Sequence, residues 1–351
     1  MNKKINFIGW QNHDNLGDEA IYYVDQKLFP KYNLVSSNDR LISNITLFGG
    51  GTLLPHWPYI CPINKYNYAF GVGVQDIRFI KNYKNCYIDL TKKSNFRYLM
   101  VRGYISQKIL KSWGIQSEVI GDPVLSLEPN QYHSNPDSKR IMINLAFYND
   151  KVWGDNETNI YIQMKNFCEY LKTNGYNPII IPFWKKDELI INRFANDLGL
   201  EVFKDWLDIE KTLNFIATGN ALVGLKLHSL VFSAAAYVPF ISIEYNPKCF
   251  DFSNSVGFDS YNIPTDKLTA DKLIMLFNNL IKNRNMMKNQ LEEKVSYFRL
   301  KQKEAVAKIT QDIESLNYKD YEYLSGLYYI SKDFIIKRSY QISSLINMTS
   351  S

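Results

Sequence analysis

Short apolar runs that end on glycine or a polar turn alternate with stretches of helical periodicity from residue 5 to residue 245. In the first half, "INFIGW" (5–10), "NITLFGGG" (44–51), "YAFGVGV" (68–74) and "YLMV" (98–101) read as strands. Between them, "DEAIYYVDQKLF" (18–29) sets Ile21, Val24 and Leu28 on one helical face before Pro30 stops it. "YISQKILKSWG" (104–114) is a short helix closed by Gly114. Strands that alternate with helices build a parallel sheet covered on both faces, because each crossover lays a helix over the sheet.

The alternation breaks at "LEPNQYHSNPDSKR" (127–140), which carries two prolines and few apolar residues, and the linker is expected there. It then resumes. Strands "IMINLAF" (141–147), "NPIIIPF" (177–183), "ALVGL" (221–225) and "FISIEY" (240–245) interleave with helices over 159–175, 187–199, 208–217 and 229–236. From about residue 266 the pattern is helical, with Val306, Ile309, Ile313 and Leu316 at helical spacing. The expectation is two doubly wound α/β domains, residues 1–130 and 138–265, facing a cleft. Residues 266–351 would be helices packed across both, the Tyr-rich stretch 317–351 included. In such sheets ligands bind at the carboxyl ends of the strands.

Composition excludes several classes. The chain has 351 residues, 46% hydrophobic and 22% charged, enough for two cores. A net charge of +6 favours an anionic ligand but is too scattered for nucleic-acid binding. Cys61, Cys86, Cys168 and Cys249 are far apart and form no CxxC pair, so neither a metal site nor a disulfide framework is expected. The start "MNKKINFIGWQNHDN" is no signal peptide, and the longest apolar run (230–243) contains Pro239 and is too short to span a bilayer. A cytoplasmic protein is expected, at most peripheral to the inner face of a membrane through its C-terminal region.

Four segments at strand ends can carry chemistry. "NLGDEAI" (15–21) offers Asn15, a glycine with backbone freedom at Gly17, and Asp18 and Glu19 in a first helical turn; taken alone, an ordinary helix cap is the plainer explanation. "FGGGTLL" (48–54) places Gly49, Gly50 and Gly51 after a strand, permitting close approach by a ligand or by backbone; it is neither a Walker loop nor GxGxxG. Arg102 in "VRGYIS" could clamp an anion or sit in a surface salt bridge, and Asp122-Pro123 reads as a turn.

The fourth segment, "VGLKLHSLVFSAAAYVP" (223–239), puts Lys226, Leu227 and His228 at the seam of a strand and a helix. Amides at a helix start attract anions. A histidine there resists protonation while the site is empty and gains a proton when an anion arrives. "IEYNPK" adds Glu244, Tyr245 and Lys248 at the next strand end, with Asn-Pro read as a turn.

Taken in order, these segments resemble the polysaccharide pyruvyl transferase family, from about residue 5 to residue 260. The resemblance implies a GT-B-like fold, with the first domain on the acceptor side and the second on the donor side. It implies transfer of pyruvate from phosphoenolpyruvate, a co-substrate with no further cofactor, to two sugar hydroxyls, forming a ketal. The acceptor would be a bacterial surface glycan, such as a capsule or exopolysaccharide, or its lipid-linked precursor. His228 matches the family's motif histidine, as acid or phosphate contact, and Asp18 and Glu19 match its acidic pair, for the acceptor sugar or for hydroxyl deprotonation. Two departures stand out: Lys226 replaces the family's usual arginine, and "INLAFYND" lacks another, with Ala146 and Phe147 there instead. Both bear on the donor, and the alternative is a GT-B glycosyltransferase using a nucleotide sugar. A further alternative is a non-catalytic scaffold in glycan assembly.

Overall fold

The computed structural model describes residues 3–36, 43–55, 64–76, 86–132, 139–146 and 157–316. The expected tail over 317–351, Phe147, His56, His133 and the middle of the linker lie outside these residues.

Two six-stranded sheets, parallel throughout, form the scaffold. The first is built from β1 (Lys3–Ile8), β2 (Tyr32–Ser36), β3 (Ile45–Gly49), β4 (Tyr66–Val72), β5 (Phe96–Val101) and β6 (Glu118–Val119), in the order β2-β1-β3-β4-β5-β6. The second contains β7 (Arg140–Asn144), β8 (Asn177–Ile180), β9 (Glu201–Val202), β10 (Ala221–Gly224), β11 (Phe240–Glu244) and β12 (Asn262–Pro264), in the order β12-β11-β10-β7-β8-β9. The central strands are wholly buried and read as continuous apolar runs, as sheets covered on both faces require. The edge strands β2, β6, β9 and β12 escape the sequence reading because each is short and partly polar.

Each sheet has one place where the strand order reverses. In the first it falls between β1 and β3, and in the second between β7 and β10. Loops leaving such a pair diverge and open a crevice at the carboxyl ends. The crevice of the first sheet therefore lies between residues 9–15 and the triple glycine. That of the second is bordered by the Lys226 loop.

The crossover helices of the first sheet are α1 (Leu16–Leu28), α2 (Cys86–Lys93) and α3 (Tyr104–Ser112). Those of the second are α4 (Glu157–Thr173), α5 (Glu188–Leu198), α6 (Ile209–Ala217), α7 (Leu227–Ala235) and α8 (Pro247–Ser255). The last of these corrects the turn reading at Asn-Pro. Asn246 caps the helix by accepting from the Lys248 amide (3.2 Å), and Pro247 takes the first helical position, where its missing N–H is not needed.

Two helices follow, α9 (Ala270–Lys282) and α10 (Arg284–Glu314). Helix α10 ties the two sheets together. Its Arg299 donates to the carbonyls of Leu125 and Leu127 on one side and to that of Ala235 on the other. Its Gln302 is buried and donates to the carbonyls of Ile120 and Asp122. Toward its end, Asp312 pairs with Arg97 and accepts from the Tyr68 hydroxyl. Of the expected apolar stripe, Ile309 and Ile313 are buried in the core, and Val306 and Leu316 pack at its edge. Among the described residues no helix is long and apolar enough to cross a membrane.

Candidate active site

The two sheets meet at their strand ends. Residues 14–16 form an antiparallel bridge with the loop after β8: the Leu16 amide donates to the Phe183 carbonyl (3.0 Å) and the Lys185 amide to the Asp14 carbonyl (3.1 Å). The Trp184 indole donates to the His13 carbonyl. On the other flank Asp251 of α8 caps α3 of the opposite domain, accepting from the Ile105 and Ser106 amides and the Ser106 hydroxyl. The residue just before that helix and its glycine is Arg102, so the cap also fixes the arginine loop.

His228 stands in the first turn of α7, and no side chain among the described residues caps that helix start. A Cβ built on Gly17 would lie 1.9 Å from His228 Nδ1, 2.1 Å from Cγ and 2.5 Å from its Cβ. Gly17 is helical and buried in α1, so its need is room for an imidazole and not the unusual backbone angle that the sequence suggested. The opposite edge of the ring, Nε2, faces Asp122 Oδ2 at 3.8 Å. Burial, followed by Arg102, Lys248 and Lys226, holds the His228 pKa well below the usual histidine range. The expected direction is thus present, with burial and three cations as its main causes.

Arg102 is 1% exposed, donates from Nη2 to Thr52 Oγ1 (2.9 Å) and brings Nη1 to 3.9 Å from Asp122 Oδ2. Asp122 is fully buried. Its Oδ1 accepts from the Val124 amide (3.1 Å), which is the turn legible in Asp-Pro, and its Oδ2 turns into the site. Sequence reasoning missed that second role, because a cap and a site residue look alike in sequence. Burial pushes its carboxyl up to about 6 against Arg102 and the Val124 amide.

Asp18 approaches Gly51, where φ is +69° and a Cβ would sit 3.7 Å from Asp18 Oδ1. Burial raises the Asp18 pKa, opposed by Lys248 and Arg102. Glu19 is turned away to its own loop, accepting from the Asn12 (2.6 Å) and His13 (3.2 Å) amides. Asn15 caps α1 through the Gly17 amide. Gly49 and Gly50 make room for Phe7, Asp25 and Ile21, so only Gly51 of the three borders Asp18.

Lys226 is not an open charge. Its Nζ lies 3.0 Å from buried Asp187 and 4.3 Å above the Trp184 ring, and its amide donates to Asn144. Burial lowers its pKa, with Asp187 opposing. Asn144 at the end of β7 and Trp184 and Asp187 after β8 were not legible as partners, since they come from strand ends other than that of Lys226. Leu227 is buried in the core. Lys248 sits over the Tyr245 ring at 5.1 Å, and burial pulls its pKa down. Burial lifts Tyr245 well above its ordinary value. Glu244 is buried and accepts from Asn262, so it supports β12. The structure therefore gathers Asp18, Gly51, Arg102, Asp122, Lys226, His228, Tyr245 and Lys248, and leaves Glu19, Gly49, Gly50, Leu227 and Glu244 in supporting positions. Among the described residues no cluster of three or more His, Cys, Asp or Glu suits a metal ion.

Two turns further along α1, Asp25 is fully buried beneath Gly49, and neither of its carboxyl oxygens has a hydrogen bond. Burial, then Asp122, raises its pKa well above the usual range. The sign follows from linkage: the fold holds this proton more tightly than the unfolded chain, so the contribution is present below about pH 4 and is lost as pH rises through the folded value. Asp25→Asn should therefore melt higher than the wild type, by a margin that widens as the pH rises above about 4, at up to about 1.4 kcal/mol per pH unit. Calorimetric melts at four pH values check this; a margin that does not change with pH refutes it.

Two parallel six-stranded α/β sheets whose strand ends meet around buried charged side chains have the GT-B-like architecture. Two structures of the wall teichoic acid polymerase TagF soaked with CDPG are similar in fold. One is 14% identical, with 90% of this chain and 89% of that chain covered at a TM-score of 0.52; the other is 11% identical over the same shares, at 0.50. The family model described as polysaccharide pyruvyl transferase matches residues 15–247, more than half of the chain, and the chain belongs to that family. Membership places it among transferases that act on polysaccharides. No curated protein matches the chain in sequence.

Proposed function

We propose that the protein transfers pyruvate from phosphoenolpyruvate to two hydroxyls of a surface polysaccharide or its lipid-linked precursor, closing a cyclic ketal. The observation that carries this reading is buried His228, 3.8 Å from Asp122, with Arg102 and Lys248 as the cations that, after burial, help to lower its pKa. A ligand with both a phosphate and a carboxylate matches that set. Its arrival adds negative charge beside the imidazole and raises its pKa.

Once protonated, His228 delivers the proton to C3 of phosphoenolpyruvate. Its Nδ1 is covered by Gly17, so Nε2 is the donor. C2 then becomes electron-deficient and takes the first acceptor hydroxyl. The phosphate leaves and the second hydroxyl closes the ring. Asp18, with its raised pKa, serves as a proton acceptor at the acceptor side of the cleft. A positioned acid of this kind contributes about 10²–10⁴-fold. Lys226 acts through its pair with Asp187, which holds the loop before α7, while Arg102 and Lys248 supply charge to the donor. The reading places the protein in the cytoplasm, at the inner face of the membrane where lipid-linked acceptors are presented.

Because His228 gains a proton only with the anion, phosphoenolpyruvate binding near pH 7 should take up protons from unbuffered solution, approaching one per site. His228→Ala should bind without that uptake. Binding of a nucleotide sugar in place of phosphoenolpyruvate would overturn the assignment of the donor.

A further inference from the structure

The loop between β1 and α1 carries an aromatic face that the transfer chemistry leaves unused. Trp10 is 47% exposed, and its ring stacks on that of His13, with centroids 4.2 Å apart and planes 29° from parallel. A single exposed aromatic needs no explanation. One that is locked in place beside a ligand cleft does.

The loop is held from several sides. Gln11 is buried and donates to the Ser36 hydroxyl (2.5 Å), which leaves Trp10 on the outer side. Asn12 and Asp14 take left-handed backbone angles, φ +66° and +49°, which few residues other than glycine adopt. Such angles persist where the surroundings over-determine them. Here Glu19 accepts from the amides of Asn12 and His13, and the Trp184 indole donates to the His13 carbonyl (3.0 Å).

The same contacts set the pair at the mouth of the candidate site. Trp184 is half-buried, with Lys226 Nζ 4.3 Å from its ring, and the Lys226 side chain is 13% exposed. From Lys226 outward through Trp184 to His13 and Trp10, exposure rises. In the other direction the loop runs through Asn15 into Gly17 and Asp18, which border His228 and Gly51. A long molecule with its reacting part near His228 has Trp10 along its way in.

The face of an indole is negative, so the anionic phosphoenolpyruvate is a poor partner for it. A pyranose is uncharged and turns C–H groups to one face while its hydroxyls point outward round the ring. Those C–H groups are apolar and slightly positive, and they match both the area and the charge of the indole face. We propose that the stacked Trp10–His13 pair is a platform for a sugar ring of the acceptor glycan. The inference rests on the pyruvyl-transfer reading and deepens its acceptor side. Trp10 binds and orients the sugar, and His13 is a positioning residue that backs the indole.

The test uses the full chain, phosphoenolpyruvate and the methyl glycosides of glucose, galactose and mannose, which offer a free 4,6-diol and no aromatic aglycone. Trp10→Ala should raise the glycoside KM about tenfold, the order of one lost aromatic contact. Its kcat and its phosphoenolpyruvate Kd should stay near the wild-type values. Trp10→Phe keeps a flat ring and should recover most of the lost affinity. A second readout needs no turnover: the glycoside should change the tryptophan fluorescence of the wild type and leave that of Trp10→Phe nearly unchanged. Equal KM values for the wild type and Trp10→Ala overturn the platform while the transfer reading stands. If no glycoside releases phosphate but one gives the Trp10-dependent signal, the platform stands and the transfer reading falls. A Trp10-dependent signal from UDP and from no glycoside would make the partner a nucleobase and overturn the proposal. Silence of every glycoside in both measurements removes both.

Discussion

Gly17→Ala should leave the protein folded and remove at least 10²-fold of its turnover. The added methyl would stand 1.9 Å from His228 Nδ1, far inside contact distance. The ring has little room to yield, because its other edge faces buried Asp122 and its side chain is only 11% exposed, so the overlap forces it out of its position against Asp122. Alanine is a better helix former than glycine by about 1 kcal/mol, so α1 itself gains. The variant separates two readings of the glycine. If Gly17 only capped or bent its helix, activity would follow stability. With the imidazole displaced, the rate falls far more than the loss of stability from the overlap, about 1–3 kcal/mol, can account for. A variant as active as the wild type would remove His228 from the reaction.

His228→Ala is the second large effect. Without the ring no group at that position can protonate C3, and turnover should fall by about 10³-fold or more, in the range expected for a positioned acid. Stability should change little, since a buried neutral imidazole whose Nε2 has no partner contributes little to the fold. Phosphoenolpyruvate should still bind, through Arg102, Lys248 and the start of α7, so kcat falls and not affinity. Phosphate release and calorimetric binding measured side by side check both halves. Unchanged turnover would return His228 to a capping role.

Both effects depend on contacts that only partly show in the sequence. The strand–helix alternation exposes every central strand, because burial on both faces leaves long apolar runs. It also places Asp18, Arg102, Lys226 and His228 at strand ends, where the crevice must open. Side-chain partners across the cleft are another matter. Asp122 reads as a turn because its cap to Val124 is local, while its contact with His228 depends on how two domains dock. Asp187 sits in a polar stretch after β8 and gives no signal that Lys226 will close on it. Asp251 lies within α8, and its capping of a helix in the other domain has no trace in local pattern. The lysine that departs from the family's usual arginine also looks different in three dimensions. Lys226 has Asp187 beside it and Trp184 beneath it, so a single charge in that place is matched by a single carboxylate.

The central claim is the transfer of pyruvate itself. Phosphoenolpyruvate labelled with carbon-13 at C2 should be incubated with the protein and a diol-bearing glycan acceptor, and the product followed by carbon NMR. The account predicts that the label moves to a quaternary ketal carbon on the acceptor as one phosphate is released, and that mild acid frees it as pyruvate. Label that stays in phosphoenolpyruvate while a nucleotide sugar glycosylates the same acceptor would contradict it.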